Sequence, residues 1–156
     1  MAKVLVSSCL LGCKVRYDGN NLEVNTSEFD EFIESNDIIS FCPEVAGGLP
    51  IPRIPAEICG GTGNNVLDGS ARILGKDGSD VTKAFLNGAE LTLKTCLDND
   101  IEYAVLTESS PSCGSSSIYN GNFEGVKISG KGVTCTLLEN HGIKVTNQHQ
   151  LARLKI

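Results

Sequence analysis

The sequence predicts a three-layer, Rossmann-like α/β fold with a short, mostly parallel sheet. Three short apolar runs, each rich in Val, Ile or aromatic residues, indicate strands at Lys3–Ser7, Ile38–Phe41 and Tyr103–Thr107. These runs lack strict alternation of apolar and polar residues, as is typical of strands buried on both faces of a parallel sheet. Segments with helical periodicity lie between them, and such alternation of strands and helices builds this class of fold.

The helical segments begin at residues that commonly cap helices. Thr26 or Ser27 is placed to cap a helix over Glu28–Ser35, and Asp80 to cap a longer helix that reaches about Asp98. The C-terminal part of the chain predicts a helix, a strand and a final helix, at Thr134–Asn140, Ile143–Thr146 and Gln148–Leu154. A β-hairpin is predicted where Gly69-Ser70 separates two short runs, Asn64–Asp68 and Ala71–Leu74.

Length and composition bound the kinds of protein that this chain can be. A chain of 156 residues, 40% hydrophobic and 21% charged, predicts a single globular domain over residues 1–156. The net charge is −6 and the 13 basic residues are scattered, which argues against binding to a nucleic-acid duplex. Neither a signal peptide nor a run long enough to cross a membrane is present, so we expect a cytoplasmic protein. The sequence leaves the oligomeric state open.

Seven cysteines in a cytoplasmic protein need an explanation other than disulfides. Their number is odd and no C-x-x-C pair occurs, which disfavours zinc ribbons and redox motifs of the thioredoxin type. Cys96 and Cys135 fall in helical patterns and are expected to pack in the core. Cys13 and Cys59 are left undecided between packing and a role at a site.

Three cysteines follow directly after the three predicted strands. Cys9 and Cys42 come at strand ends, and Cys113 follows the third strand after a short loop. Ligand sites in open α/β sheets lie at the carboxyl ends of the strands, so we expect these thiols at one edge. Glycine-rich loops surround them and allow a ligand to approach the backbone closely. Gly114–Ser117 is also interpreted as the start of a helix whose N-terminus would favour a thiolate at Cys113.

Soft thiolate ligands of this kind suit either zinc or an iron–sulfur cluster. A structural zinc site usually has four protein ligands, and neither histidine lies near a predicted strand end. A cubane cluster also normally uses four cysteines, and with only three it has one iron open to a substrate. Residue chemistry alone leaves both possibilities open.

Several motifs, in this order and spacing, resemble the thiouracil desulfidase family, which was long described only as a domain of unknown function. The resemblance covers nearly the whole chain and depends on the motifs Ser8-Cys9-Leu10-Leu11-Gly12, Arg16-Tyr17-Asp18-Gly19, Cys42-Pro43-Glu44-Val45, Gly47-Gly48-Leu49, Pro52-Arg53 and Ser110-Pro111-Ser112-Cys113-Gly114. Each motif is weak alone, and together they are specific.

The resemblance implies a [4Fe-4S] cluster held by three cysteines, which match Cys9, Cys42 and Cys113. It further implies an enzyme that releases sulfide from a thiolated pyrimidine such as 2-thiouracil, without net oxidation or reduction. The acid–base residues of the family fall on Glu44 and Ser110. Their residue types suit water attack on a thiocarbonyl carbon, which needs a base and a proton relay.

Each of these residues also has a structural alternative. Glu44 is either a base or the partner of an arginine, and Ser110 is either a proton relay or a turn hydroxyl before Pro111. Arg16 and Arg53 are candidates to bind a substrate carbonyl, or else to form ion pairs on the loops. The structural role is favoured for Arg53, because prolines bracket it.

Two other functions stay open at this stage. One is a sulfur carrier or transferase that works through a persulfide on Cys113 and has no cluster. The other is a metal-binding protein without catalytic activity. A fold and motif resemblance transfers the kind of site more safely than the compound that the site acts on.

Overall fold

The computed structural model describes residues 1–156. Its helices and strands, in chain order, are β1 (Lys3–Ser7), α1 (Ser27–Ser35), β2 (Asp37–Phe41), α2 (Pro43–Ala46), β3 (Ala56–Cys59), α3 (Gly63–Asp68), β4 (Arg72–Gly75), α4 (Thr82–Asp98), β5 (Tyr103–Val105), β6 (Ser117–Tyr119), β7 (Lys127–Ser129), α5 (Val133–Asn140) and β8 (Lys144–Thr146). Two short 3₁₀ helices lie at Ser8–Leu11 and Leu151–Leu154.

The main sheet is parallel and has the order β2-β1-β5-β8. Strand β1 lies between β2 and β5, and its Leu5 pairs with Ile39 on one side and with Ala104 on the other. Two antiparallel pairs, β3-β4 and β6-β7, lie outside this sheet. The predicted fold class is therefore confirmed, and the three predicted strands fall on β1, β2 and β5.

Apolar residues cover both faces of the main sheet, as a three-layer fold requires. On one face, Leu5 and Ala104 pack with residues of α4 and α5, including Cys96 and Cys135. On the other face, β1 and β5 pack against α1 and the C-terminal 3₁₀ helix, through Val4, Val6, Val105, Phe29 and Leu151. A third apolar cluster joins the antiparallel pairs to α4 and α5. None of the helices combines the length and the apolar character needed to cross a bilayer.

The helices begin at or within a few residues of the positions predicted from the sequence. Thr26 caps α1, since its hydroxyl oxygen accepts a hydrogen bond of 3.2 Å from the Phe29 amide. The long helix begins at Thr82 instead of directly after Asp80, because the Asp80 carboxylate accepts from the Thr82 amide at 3.0 Å just before the first turn. The final helix is shorter than predicted and is a 3₁₀ turn over Leu151–Leu154.

The predicted hairpin around Gly69-Ser70 is wrong. Its first arm is α3, which begins where the Thr62 amide donates to the Asn65 side chain at 3.0 Å and ends at Gly69 in the left-handed conformation. The second arm, β4, pairs with β3 instead. Six residues span fewer than two helical turns, so apolar periodicity does not distinguish such a helix from a strand.

The helix predicted to start at Gly114–Ser117 is also wrong. The chain makes a tight turn there and continues as β6, which pairs with β7. Because no helix begins at this point, Cys113 does not lie at a helix N-terminus. Its environment is set by burial and by the loop described below.

Candidate active site

The carboxyl ends of β1, β2 and β5 meet at one edge of the main sheet, and a cavity of about 590 Å³ opens there. Cys9, in the 3₁₀ turn after β1, Cys42, between β2 and α2, and Cys113, in the loop after β5, all line it. Each reaches the edge because a parallel strand runs toward it and a loop begins there. The structure thus places together the three thiols that follow the predicted strands.

Burial raises the pKa of all three thiols above the ordinary value of 9.0. Cys113 is only 4% exposed, and its pKa lies well above that value because burial is reinforced by the negative charge of Glu44 and by the other two thiols. A thiol must lose its proton to bind a metal. A positively charged metal centre in the cavity would therefore favour the thiolate form of these residues.

The three thiols differ from a site for a single metal ion. No group of three or more His, Cys, Asp or Glu side chains is arranged to hold a metal ion, so the three thiols are not a preformed cage for one zinc. They are nevertheless soft ligands, all seven cysteines are free of disulfides, and none of the other four lines this cavity. Three soft ligands without a fourth fit a cluster, which is larger than one ion, with one iron left free of the protein.

Glu44 lines the same cavity from the first turn of α2. Its Oε2 forms an ion pair of 2.8 Å with Arg53, whose side chain is only 6% exposed. The same guanidinium donates to the carbonyl oxygens of Val15 and Pro50, at 3.1 and 3.2 Å. Arg53 is thereby fixed between two loops, while Oε1 of Glu44 accepts no hydrogen bond from the protein.

Ser110 lies on the loop that carries Cys113 and also lines the cavity. Its hydroxyl oxygen accepts from the amides of Ser112 and Cys113, at 3.0 and 3.1 Å. Ser110 is therefore a turn hydroxyl, as the structural alternative had it. Because the oxygen is an acceptor in both bonds, the hydroxyl proton stays available to another group.

The N-terminus of α5 is hydrogen-bonded to the loop that carries Cys113. The amides of Val133 and Thr134 donate to the carbonyl oxygens of Pro111 and Ser112, at 2.9 and 2.8 Å. First-turn amides of a helix have no partner within the helix, so these bonds satisfy the helix end and fix the loop together.

Arg16 also lines the cavity, beside the exposed ring of Tyr17. Its guanidinium lies 5.7 Å from the centre of that ring and takes part in no ion pair. Arg16 is thus a cation at the cavity without an anionic partner, whereas the charge of Arg53 is already used by Glu44.

Comparisons with known proteins agree with this geometry. The profile of a family described as 2-thiouracil desulfurase matches residues 4–150. An uncharacterized protein of Bacillus subtilis (strain 168), YbbK, is 43% identical over 148 residues, which are 95% of this chain and 97% of that protein. The chain belongs to the 2-thiouracil desulfurase family.

A solved structure extends the family comparison to the coordinates. It is described as the [4Fe-4S]-dependent thiouracil desulfidase TudS (DUF523Vcz), and it superposes with a TM-score of 0.87 at 46% sequence identity. The match covers 99% of this chain and 96% of that one. Because the match covers nearly the whole of both chains, the likeness is not confined to the main sheet of the desulfurase fold.

Two residues at the end of β5 were missed by sequence reasoning, although they follow the same strand-end rule as the cysteines. The hydroxyl of Thr107 lies 2.8 Å from the Cys9 sulfur. The Glu108 carboxylate accepts from the amides of Ser109 and Ser115 at 3.0 Å, from two following amides, and from the Asn147 side chain at 2.6 Å. Glu108 therefore closes the Cys113 loop of this family member.

Two further cavity residues, Glu57 on β3 and Tyr119 on β6, had no signal in the sequence. Both belong to the antiparallel pairs, to which the strand-end rule for parallel sheets does not apply. Their presence shows that the cavity extends from the cysteine edge to the smaller sheets.

The remaining cysteines lie away from the cavity lining. Cys96 and Cys135 are fully buried in α4 and α5, as expected for packing, and burial raises the pKa of Cys96 to about 11. Cys13 is exposed. Cys59 is half-buried, and its thiol lies 3.4 Å from the Gly121 carbonyl oxygen.

Proposed function

We propose that this chain is an iron–sulfur-dependent desulfidase that removes sulfur from a thiolated pyrimidine such as 2-thiouracil and releases sulfide. Cys9, Cys42 and Cys113 would hold a [4Fe-4S] cluster. The observation that carries the proposal is the convergence of three soft thiols, two buried and one half-buried, with no fourth, on one cavity. It is supported by the 46% identity to TudS, described as a [4Fe-4S]-dependent thiouracil desulfidase.

The reaction is a hydrolysis, so no electrons are transferred. Water adds its oxygen to the thiocarbonyl carbon, the carbon–sulfur bond breaks, and sulfur leaves as sulfide while the protons of water are redistributed. When bound, a cluster held by three cysteines supplies an iron without a protein ligand, which acts as a Lewis acid toward sulfur. The protein residues provide the proton transfers and the orientation.

Glu44 would act as the base through Oε1. Arg53 binds the other oxygen at 2.8 Å and so orients the carboxylate, and this pairing leaves Oε1 free to accept a proton from water. The two roles considered for Glu44, a base and the partner of an arginine, are therefore compatible. Glu44 is paired with Arg53 and still has one oxygen free to accept a proton. Ser110 would donate its hydroxyl proton toward the departing sulfur or the substrate, because its oxygen is occupied by two amides.

Arg16 is the better candidate to bind a substrate carbonyl. Its guanidinium has no ion-pair partner, whereas Arg53 is committed to Glu44 and to two backbone carbonyl oxygens. We therefore assign the substrate contact to Arg16 and a positioning role to Arg53.

Two alternative functions are weakened by specific observations. A persulfide carrier needs a reactive thiolate, but Cys113 is 4% exposed and burial raises its pKa well above the usual value. A metal-binding protein without catalytic activity does not need a cavity of about 590 Å³ beside its ligands.

We further infer that the enzyme works in the cytoplasm and acts on a small molecule. Seven free cysteines persist most easily in a reducing compartment. The net charge of −6 offers no attraction to a nucleic-acid duplex.

Anaerobic reconstitution tests the proposal. Protein supplied with iron and sulfide should turn brown, bind iron in the ratio of one cluster per chain, and release sulfide from 2-thiouracil. Cys113→Ser should lose the iron, because a hydroxyl is a poor, hard ligand for such a centre, whereas Cys96→Ser, buried away from the cavity, should keep it. Full iron in Cys113→Ser would show that the ligand assignment is wrong.

A further inference from the structure

Glu57 contributes a buried carboxylate to the cavity. It is separated along the chain from the proposed cluster ligands and lies on a different sheet. It lies on β3, lines the cavity, and is only 8% exposed. Its Oε1 accepts hydrogen bonds from the amides of Gly121 and Phe123, at 2.9 and 3.3 Å. One oxygen of the carboxylate therefore anchors the loop between β6 and β7.

The other oxygen, Oε2, has no donor in the protein. Glu57 takes part in none of the ion pairs. No buried polar side-chain atom in the chain lacks a partner, so Oε2 must keep contact with open space, and the space that Glu57 lines is the cavity. Glu57 is thus a residue more than nine-tenths buried, yet one oxygen of its carboxylate is open to the cavity and has no donor or cation of the protein beside it. Such an acceptor is placed to take a hydrogen bond from a ligand that fills the cavity.

We propose that Oε2 of Glu57 accepts a ring N–H of the thiolated heterocycle and thereby selects substrates that carry this N–H. The inference rests on the proposed desulfidase function and adds a specificity-determining residue to it. A carboxylate is purely an acceptor, and 2-thiouracil offers two ring N–H donors, one on each side of its thiocarbonyl carbon. A hydrogen bond to an ionised acceptor is among the stronger kinds.

Methylated substrates test the proposal on the unaltered enzyme. 1-Methyl- and 3-methyl-2-thiouracil each lack one ring N–H and retain the thiocarbonyl group. Wild-type enzyme should process one isomer with a kcat/KM reduced on the order of 10–100-fold relative to 2-thiouracil, and the other much less, which identifies the bonded nitrogen. Equal turnover of all three compounds would overturn the inference while leaving the desulfidase function standing.

Glu57→Gln separates the hydrogen bond from steric exclusion of the methyl group. The glutamine oxygen can still accept from Gly121 and Phe123, but its amide nitrogen then presents a donor to the cavity in place of the acceptor. Its kcat/KM for 2-thiouracil should fall on the order of 10–100-fold, mainly through KM, and the difference between the methyl isomers should largely vanish. Iron content and the visible spectrum of the cluster should not change.

Glu124→Gln is the matched control, because Glu124 is an exposed carboxylate on the same loop. It should match wild type in every measurement. If Glu57→Gln kept the wild-type KM and the same discrimination between the methyl isomers, the role proposed for Glu57 would be refuted and the desulfidase function would stand. Absence of sulfide release by wild-type protein with a full cluster would instead refute the proposed function, and this inference with it.

Discussion

At the scale of single residues, the site depends on how each polar group divides its bonding capacity. One carboxylate oxygen of Glu44 is paired with Arg53, and the other has no protein partner. Ser110 uses its oxygen for two amides and keeps its proton. Glu57 divides its two oxygens between a loop and the cavity in the same way. In each case the protein contact orients the group, and one hydrogen-bonding position of a cavity-lining side chain has no protein partner.

Glu44→Gln tests this division for the proposed base. Glutamine keeps the size of the side chain but cannot accept a proton from water, so sulfide release should fall on the order of 10²–10⁴-fold. The cluster should assemble normally, and 2-thiouracil should still perturb its spectrum. Ser110→Ala should cause a smaller loss, since water can replace a hydroxyl relay.

Sulfide release and iron content, measured on the same samples, separate chemistry from assembly in these variants. Glu44→Gln also weakens the pairing with Arg53, so thermal unfolding of each variant shows whether the loops remain fixed. Unimpaired turnover by Glu44→Gln with a full cluster would remove this residue from the mechanism.

At the scale of elements, the close approach of α2 to α4 fixes where Glu44 and Cys42 lie. A Cβ at Gly88 in α4 would lie 2.0 Å from the Pro43 carbonyl oxygen, and one at Gly47 would lie 2.1 Å from the Ala84 carbonyl oxygen. Glycine at both positions lets the two backbones touch. The short helix α2 is thereby held against a long one, although four residues have little helical stability of their own.

Gly88→Ala should therefore destabilise the protein, even though alanine is the better helix former by about 1 kcal/mol. The added methyl group must move backbone atoms, for which we expect a net loss of roughly 1–3 kcal/mol in the free energy of unfolding. Chemical denaturation measures the loss. Asn87→Ala, at an exposed position of the same helix, should be neutral or stabilising. Equal stability of Gly88→Ala and wild type would show that the contact is not tight.

At the scale of the whole molecule, Glu108 ties together segments that are far apart in the chain. Its carboxylate binds the start of the Cys113 loop, the residues that enter β6, and Asn147 after β8. Burial alone would raise the pKa of Glu108, but hydrogen bonds from the Ser116 hydroxyl and from the surrounding amides outweigh it and lower that pKa below the ordinary 4.5.

A lowered pKa in the folded state means that ionised Glu108 stabilises the fold above pH 4.5, and that this contribution is lost as the pH falls through the folded pKa. Glu108→Gln should cost about 1–3 kcal/mol of unfolding free energy at pH 7, because amide donors lose a charged acceptor. The difference from wild type should shrink in acid, where both side chains are neutral.

Denaturant unfolding of the cluster-free protein at a series of pH values measures this difference. Glu90→Gln, an exposed carboxylate on α4, is the control and should follow the wild-type curve. A gap between Glu108→Gln and wild type that stays constant down to acid pH would show that ionisation of Glu108 is not the cause.

Local features of the sequence determined the central architecture and the thiol set. The strands at Lys3–Ser7, Ile38–Phe41 and Tyr103–Thr107 were predictable because a strand buried on both faces must be apolar along its length. Because parallel strands end at one edge, the thiols of Cys9, Cys42 and Cys113 could be expected together. Such features depend on composition and order along the chain, and no long-range contact is needed to recognise them.

Only the tertiary structure decided the polar arrangement around those thiols. The pairing of Glu44 with Arg53, the anchoring of a loop by Glu57, and the closure of the Cys113 loop by Glu108 join residues through contacts that depend on side-chain geometry. The same holds for the choice of β3 as the partner of β4, which replaced the predicted hairpin. Strand partners and hydrogen-bond partners are settled by which surfaces the folded chain brings within reach, and residue type alone does not specify them.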